Sequence, residues 1–136
     1  MISEIKKVQD FHKKFNAQIN TKPTMITVEE GLLRYELMKE ELEEYKEAIL
    51  SQDLVLALDA LTDMAYINCG SYVAHGLQDV AEAAFQEVQD SNMSKLGEDG
   101  KPVINGQNGF LDERKPLGKI LKGENYFEPN LQRFIK

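Results

Sequence analysis

Six glutamates fall within twelve residues, at Glu36, Glu40, Glu41, Glu43, Glu44 and Glu47, and two aspartates, Asp59 and Asp63, interrupt the apolar stretch that follows. Acid on one helix is ordinary surface. Acid on one helix answered by carboxylates inside the next apolar helix has the makings of a divalent-cation site, and an all-oxygen donor set suits Mg²⁺ or Mn²⁺. Spacing sorts the glutamates. Each helical residue advances about 100°. Leu37, Glu41, Glu44 and Ala48 therefore form a row roughly 60° around the helix from the apolar stripe Met38, Leu42, Tyr45 and Ile49. Glu41 and Glu44 stand at the border of that stripe, with Glu40 one step further round. Glu36, Glu43 and Glu47 read as a solvated face paired with Lys39 and Lys46.

Asp59 and Asp63 are four apart and share a face. From Leu54 to Leu77 they are the only formal charges apart from His75. Mid-helix is the wrong place for caps, and few cations lie in the adjacent segments to pair with them. A buried carboxylate without a partner is costly or takes up a proton. A metal ion held by Glu41, Glu44, Asp59 and Asp63 would satisfy the acids of both helices. Tyr66, one turn after Asp63, is placed to hydrogen-bond a ligand or to pack. Asn92 and Lys95 put an amide and an ammonium on one helical face. Lys122, Asn125 and Tyr126 add further polar groups near the end of the chain. His12 lies on an apolar face and reads as a core histidine.

Four helices can carry these groups, spanning about 3–18, 27–51, 53–75 and 79–93. Thr27 with Glu30 makes a capping box for the second, and Gly76 a C-cap for the third. Leu54, Leu58, Leu61 and Ala65 form the expected core stripe of the third helix. Residues 97–136 hold six of the nine glycines and three of the four prolines. They form a tail with a short β-hairpin around Asn108-Gly109. The expectation is an all-α chain: a helical bundle over 1–96, and a tail over 97–136 that packs on the bundle or on a neighbouring subunit. A bundle this small with a tail this poor in core implies a homodimer or homotetramer.

Bulk composition narrows the function. The 136 residues suit one domain, with 42% hydrophobic and 29% charged residues. The net charge of −7 argues against a nucleic-acid polymer as partner. Residues 1–94 hold 17 acids against 8 bases, whereas residues 95–136 hold 6 against 8, so the tail is the basic end. Cys69 is the only cysteine, which excludes an internal disulfide and, with no histidine cluster, argues against zinc. The N-terminus lacks the apolar core of a signal peptide, and no apolar run nears the roughly 18 residues of a membrane span. The expected compartment is the cytoplasm, that of the host if the chain is phage-encoded.

Several stretches together resemble a known family. FH at 11–12, EELEE at 40–44, DALTD at 59–63, SNMSKLGEDGKP at 91–102 and LKGENYFEP at 121–129 look like the all-α nucleoside triphosphate pyrophosphohydrolases. This superfamily holds MazG, phosphoribosyl-ATP pyrophosphohydrolase and the dimeric dUTPases. Within it the chain is most similar to a small MazG-like group from bacteria and phages. The resemblance covers nearly the whole chain, and its two tail motifs are the specific ones. It implies a four-helix MazG-like bundle and hydrolysis of a (d)NTP to the monophosphate and pyrophosphate with Mg²⁺, Mn²⁺ substituting, on a purine substrate such as dGTP or on general (d)NTPs. It also implies that Glu40 or Glu41 takes a proton from water, and that Asn92, Lys95, Lys122, Asn125 and Tyr126 serve the nucleotide.

The superfamily pattern is ExxE followed by ExxD. Glu41-x-x-Glu44 fits the first half. In the second, Asp63 matches, but Ala60 stands where the Glu is expected, with Asp59 beside it. Two rival readings stay open: a helical nucleotide-binding or regulatory module of the same fold without catalysis, and a structural bundle with an acidic surface. The enzyme needs acids on two helices to converge. The structural bundle needs Asp59 and Asp63 to find protein cations.

Overall fold

A computed structural model describes residues 1–135. The chain is all-α, with helices α1 (Ile2–Lys14), α2 (Val28–Ser51), α3 (Leu54–Ala74) and α4 (Ala81–Met93). An antiparallel ribbon of β1 (Val103–Ile104) and β2 (Ile120–Leu121) and a 3₁₀ turn over Gln132–Phe134 follow. Among the described residues no helix is long and apolar enough to cross a membrane. The chain divides into two compact units, Met1–Glu82 and Ala83–Lys136.

Local chemistry sets the helix ends. Thr27 Oγ1 accepts from the Glu30 amide at 3.1 Å, and Glu30 Oε2 accepts from the Thr27 amide at 3.1 Å, completing the expected capping box. Gln52 takes a left-handed conformation (φ 57°) that ends α2. Asp53 Oδ1 then accepts from the Val55 and Leu56 amides at 3.0 and 3.1 Å and starts α3. Helix α1 stops at Lys14, short of the expected Gln18, because Asn16 turns left-handed at φ 55°. The Asn20 amide donates to Val73 O and the Thr24 amide to His75 O, which ties the α1–α2 connection to the end of α3.

Ile5, Val8, Cys69, Val73 and Ala81 form the core of the first unit, with Ile19 and Tyr72 packed against it. His12 is buried there as read, its Nδ1 2.7 Å from Gln18 O. A carbonyl only accepts, so Nδ1 carries the hydrogen.

The inward faces of α2 and α3 differ from the expectation. On α2 the sheltered row is Arg34, Leu37, Met38, Glu41, Tyr45 and Ala48, while Leu42 and Ile49 are 53% and 47% exposed. On α3 the expected stripe is the outer face: Leu54, Leu58 and Leu61 are 83%, 65% and 48% exposed, and Ala65 is exposed too. The inner face carries Ala57, Ala60, Asp63, Met64, Ile67, Gly70 and Ala74. Small residues allow the helix backbones to approach closely, so they take the inner seats and the leucines are left outside.

In the second unit, Asn108 (φ 51°) and Gly109 (φ 81°) form the expected tight turn, closed by the Phe110 amide donating to Gln107 O at 2.9 Å. The connection between β1 and β2 winds around Asn105, which is 1% exposed. Its Nδ2 lies within 3.0 Å of the carbonyls of Asp112, Lys115 and Pro116, and its Oδ1 accepts from the Asp112 amide at 2.7 Å.

Candidate active site

Helices α2 and α3 are joined only by Gln52 and Asp53, so they pack side by side and antiparallel. The acid-bearing turns of each therefore face the other. Glu41 is at the centre. Its Oε2 is buried and has no hydrogen-bond partner. Burial pushes its carboxyl above the ordinary glutamate value. The charge of Glu44, hydrogen-bonding contact with Glu44, and the charges of Asp63 and Asp59 across the helix pair push it the same way. Carboxylates from two helices thus act on one another. Among the described residues none of the four is in an ion pair.

Glu41 and Asp63 are half-buried, while Glu44 and Asp59 are exposed. Among the described residues no three such groups are drawn together closely enough to enclose an ion. The acids stand as a like-charge cluster open on one side. An orphaned carboxylate oxygen acted on by Glu44, Asp63 and Asp59, with no ion pair among the described residues, has the all-oxygen chemistry that hard divalent ions take. Ala60 is buried at 1% exposure, one of the small inner residues of α3. Asp59, one residue earlier, is the last of the charges acting on Glu41.

Glu40 is exposed and is not among the acids acting on Glu41. Tyr66 turns towards α1 instead of the acids. Its ring stands edge-on to Phe11 with centroids 5.7 Å apart. With Glu4, Lys7, Thr62 and Cys69 it lines a cavity of about 310 Å³.

The tail motifs assemble within the second unit. Asn92 and Lys95 line one cavity of about 320 Å³, together with Met93, Leu96, Pro102 and Ile120. Lys122 opens instead onto a larger cavity of about 750 Å³ that also holds Lys101, Asn108 and Phe110. Ile120 lines the first cavity and Leu121 the second, as opposite faces of a strand do, and Pro102 lines both. Lys122 Nζ sits 4.7 Å from the centre of the Tyr126 ring, a cation–π distance. Asn125 is exposed in the turn between Gly123 and Tyr126.

Contacts missed from sequence explain why the two tail motifs go together. Ser91 Oγ donates to Phe127 O at 2.8 Å, and the Phe127 amide donates to Ser94 Oγ at 3.1 Å. The Gly123 amide donates to Lys95 O at 2.9 Å, and a side chain at 123 would collide with the Lys95 and Leu96 carbonyls. Glu87 secures the end of the tail, accepting from the Asn130 amide at 2.8 Å and from Arg133 Nη2 at 2.6 Å. SNMSK and LKGENYF are thus two sides of one joint. Their serines and glycine hold the segments that bear Asn92, Lys95, Lys122 and Tyr126.

A search among curated proteins finds no match for the chain. A family model described as phosphoribosyl-ATP pyrophosphohydrolase matches residues 8–92, more than half of the chain and inclusive of all four clustered acids. By that match and its all-α architecture, the chain belongs to the phosphoribosyl-ATP pyrophosphohydrolase family, within the MazG-like superfamily of all-α pyrophosphohydrolases.

Proposed function

We propose that the protein is a divalent-metal-dependent nucleotide pyrophosphohydrolase that converts a (d)NTP and water to the monophosphate and pyrophosphate. The observation that carries this reading is Glu41: a buried, unpartnered carboxylate oxygen with Glu44, Asp63 and Asp59 acting on it and, among the described residues, no ion pair to offset them. Glu41, Glu44, Asp59 and Asp63 would hold Mg²⁺, with Mn²⁺ substituting. Such an ion supplies charge neutralisation at the phosphates and acidifies water.

The chain's own acids do the rest. A carboxylate of the Glu40/Glu41 pair that the ion leaves free takes the proton of the attacking water. For the nucleotide the reading uses Asn92 and Lys95, which share a cavity, and the Lys122–Tyr126 pair with Asn125. Tyr66 is assigned to the ligand only as an outer contact, since its ring is engaged with Phe11. A purine triphosphate such as dGTP is the first substrate to try. The exposed leucines of α2 and α3 support self-association as a homodimer or homotetramer, and the protein is taken to work in the cytoplasm.

The test is pyrophosphate release across ribo- and deoxynucleoside triphosphates with Mg²⁺, with Mn²⁺ and with chelator. Metal-dependent release from at least one nucleotide is expected. No turnover of any of them with either metal would leave a helical module that does not hydrolyse, and would end the enzyme reading.

A further inference from the structure

Arg34 is a cation that the acidic site does not use. It lies on the sheltered face of α2, seven residues before Glu41. Seven residues are two helical turns, so the two side chains share a face about 10 Å apart along the axis. Its guanidinium crosses to α3. Nε donates to Ser71 Oγ at 3.1 Å, and Nη2 donates to Ile67 O at 2.5 Å. Among the described residues no carboxylate pairs with it. Half-buried arginine without an acid is an expensive way to join two helices. Two neutral acceptors that it can reach only in one setting of the helices are a geometric restraint.

The surroundings are cleared for it. A side chain at Gly70 would run into Arg34 Nη2 and come within 2.8 Å of His12 Nε2. His12 is itself held by Gln18 O through Nδ1, which leaves its Nε2 beside Gly70 near the Arg34 guanidinium. Helix α1, helix α3 and the loop after α1 thus all make room for one guanidinium.

The position of the acids explains what the restraint accomplishes. At one end α2 and α3 are pinned by the Gln52–Asp53 connection, eight residues beyond Glu44. At the other they are pinned by Arg34, seven residues before Glu41. Ile67, which takes the Arg34 bond, is four residues after Asp63 on the same face of α3. The four carboxylates lie between the two pins. They repel one another, and a hinge at one end alone would let the helices splay or slip. A slip of one turn is about 5.4 Å, which would carry Asp59 and Asp63 out of reach of Glu41 and Glu44.

We propose that Arg34 is a positioning residue for the acidic site: by bonding Ile67 O and Ser71 Oγ in the space left by Gly70, it fixes the register of α2 against α3 that brings Glu41 and Glu44 opposite Asp59 and Asp63. This inference rests on the metal-site reading above. It predicts that Arg34→Met, which keeps bulk and removes the donors, weakens binding of Mn²⁺ alone by about tenfold or more. Arg34→Lys, which can reach one acceptor but not both, should fall in between. Gly70→Ala should mimic Arg34→Met by displacing the guanidinium.

The measurement is Mn²⁺ titration followed by electron paramagnetic resonance, without nucleotide, well below each variant's Tm and with helicity checked by circular dichroism. Glu44→Gln serves as the control for the site. Folded Arg34→Met and Arg34→Lys that bind Mn²⁺ as the unmodified chain does, while Glu44→Gln does not, overturn the positioning role and leave the site standing. A lower Tm with unchanged Mn²⁺ affinity also overturns it, since the arginine would then serve stability alone. If Arg34→Met fails to fold, Ser71→Ala decides. It removes the Nε acceptor and the 3.2 Å bond that Ser71 Oγ donates to Ile67 O within α3, leaves Arg34 its bond to Ile67 O, and should weaken Mn²⁺ binding about two- to fivefold; unchanged binding overturns the proposal. No Mn²⁺ binding by the unmodified chain, or binding indifferent to Glu44→Gln, overturns both readings.

Discussion

Glu41 is a group the fold holds at a cost to itself. Its carboxyl is raised by burial first and then by Glu44, Asp63 and Asp59. A raised acid binds its proton more tightly in the folded chain than in the unfolded one. Its neutral form therefore favours folding at low pH, and that contribution is lost as pH rises from the ordinary glutamate range through the raised value. Glu41→Gln should then raise Tm at neutral pH in chelator and flatten this part of the pH–stability curve. It should also abolish the rise in Tm that Mg²⁺ gives the unmodified protein by linkage. Thermal melts from pH 4 to pH 8, with Mg²⁺ and with chelator, decide it; a variant less stable than the parent in chelator at pH 7 would remove the charge cluster from the account. Asp63→Asn and Glu44→Gln should lower metal-dependent turnover by about two orders of magnitude or more while helicity is retained, as expected for groups that hold the catalytic ion. Wild-type rates in both would remove them from the site. These acids were legible in the sequence because a charged pair inside an apolar helix has few explanations. Arg34 was not, since a single arginine ahead of a glutamate-rich run looks like one more surface charge until its acceptors on α3 are seen.

The helices were legible at their ends and much less so on their faces. Thr27 with Glu30, and Asp53 before an apolar run, are local signals that no tertiary contact has to confirm. The inward face is a different kind of information. Helix α3 carries apolar residues nearly all round, so periodicity alone does not choose between the leucine row and the alanine row. In the fold the alanines, with Met64 and Ile67, face inward and the leucine row faces outward. The tail shows the same limit. The Asn108–Gly109 turn is a dipeptide signal, whereas Asn105 is one asparagine in a polar stretch and reveals itself only through the four backbone groups it gathers. Asn105→Ala should strand those groups and cost the second unit roughly 2–4 kcal/mol. Amide exchange should quicken at Asp112 and Gly118, which bond to the Asn105 side chain and backbone respectively, with the helical signal unchanged. Unchanged protection at both amides would mean that the loop is held by something other than Asn105.

At the scale of the whole molecule the exposed leucines and the acids of α2 and α3 belong to one design problem. A helix pair that turns its alanines inward to bring carboxylates together must turn its large apolar side chains outward. Leu33, Leu50, Leu54, Val55 and Leu58 are each at least 60% exposed. Isolated surface leucines need no explanation, but several large apolar side chains this exposed on two neighbouring helices are what a second copy would cover. The occupant argued for is a second copy of this chain, because the inward placement of Asp63 and Ala60 that the site requires is what leaves the same face bare in every copy. Sedimentation at micromolar concentration should therefore give a dimer or tetramer. Charges placed on that face by Leu58→Glu with Leu61→Glu should shift it to monomer, since burying two unpaired carboxylates costs several kcal/mol. Neither leucine points to the acids, so Mn²⁺ affinity per chain tests whether the cluster is complete within one copy. Retained affinity in the monomeric variant would place the whole ion site in a single α2–α3 pair. A chain that already sediments as a monomer before mutation would sink the self-association reading and leave the acidic site to be judged by its own tests.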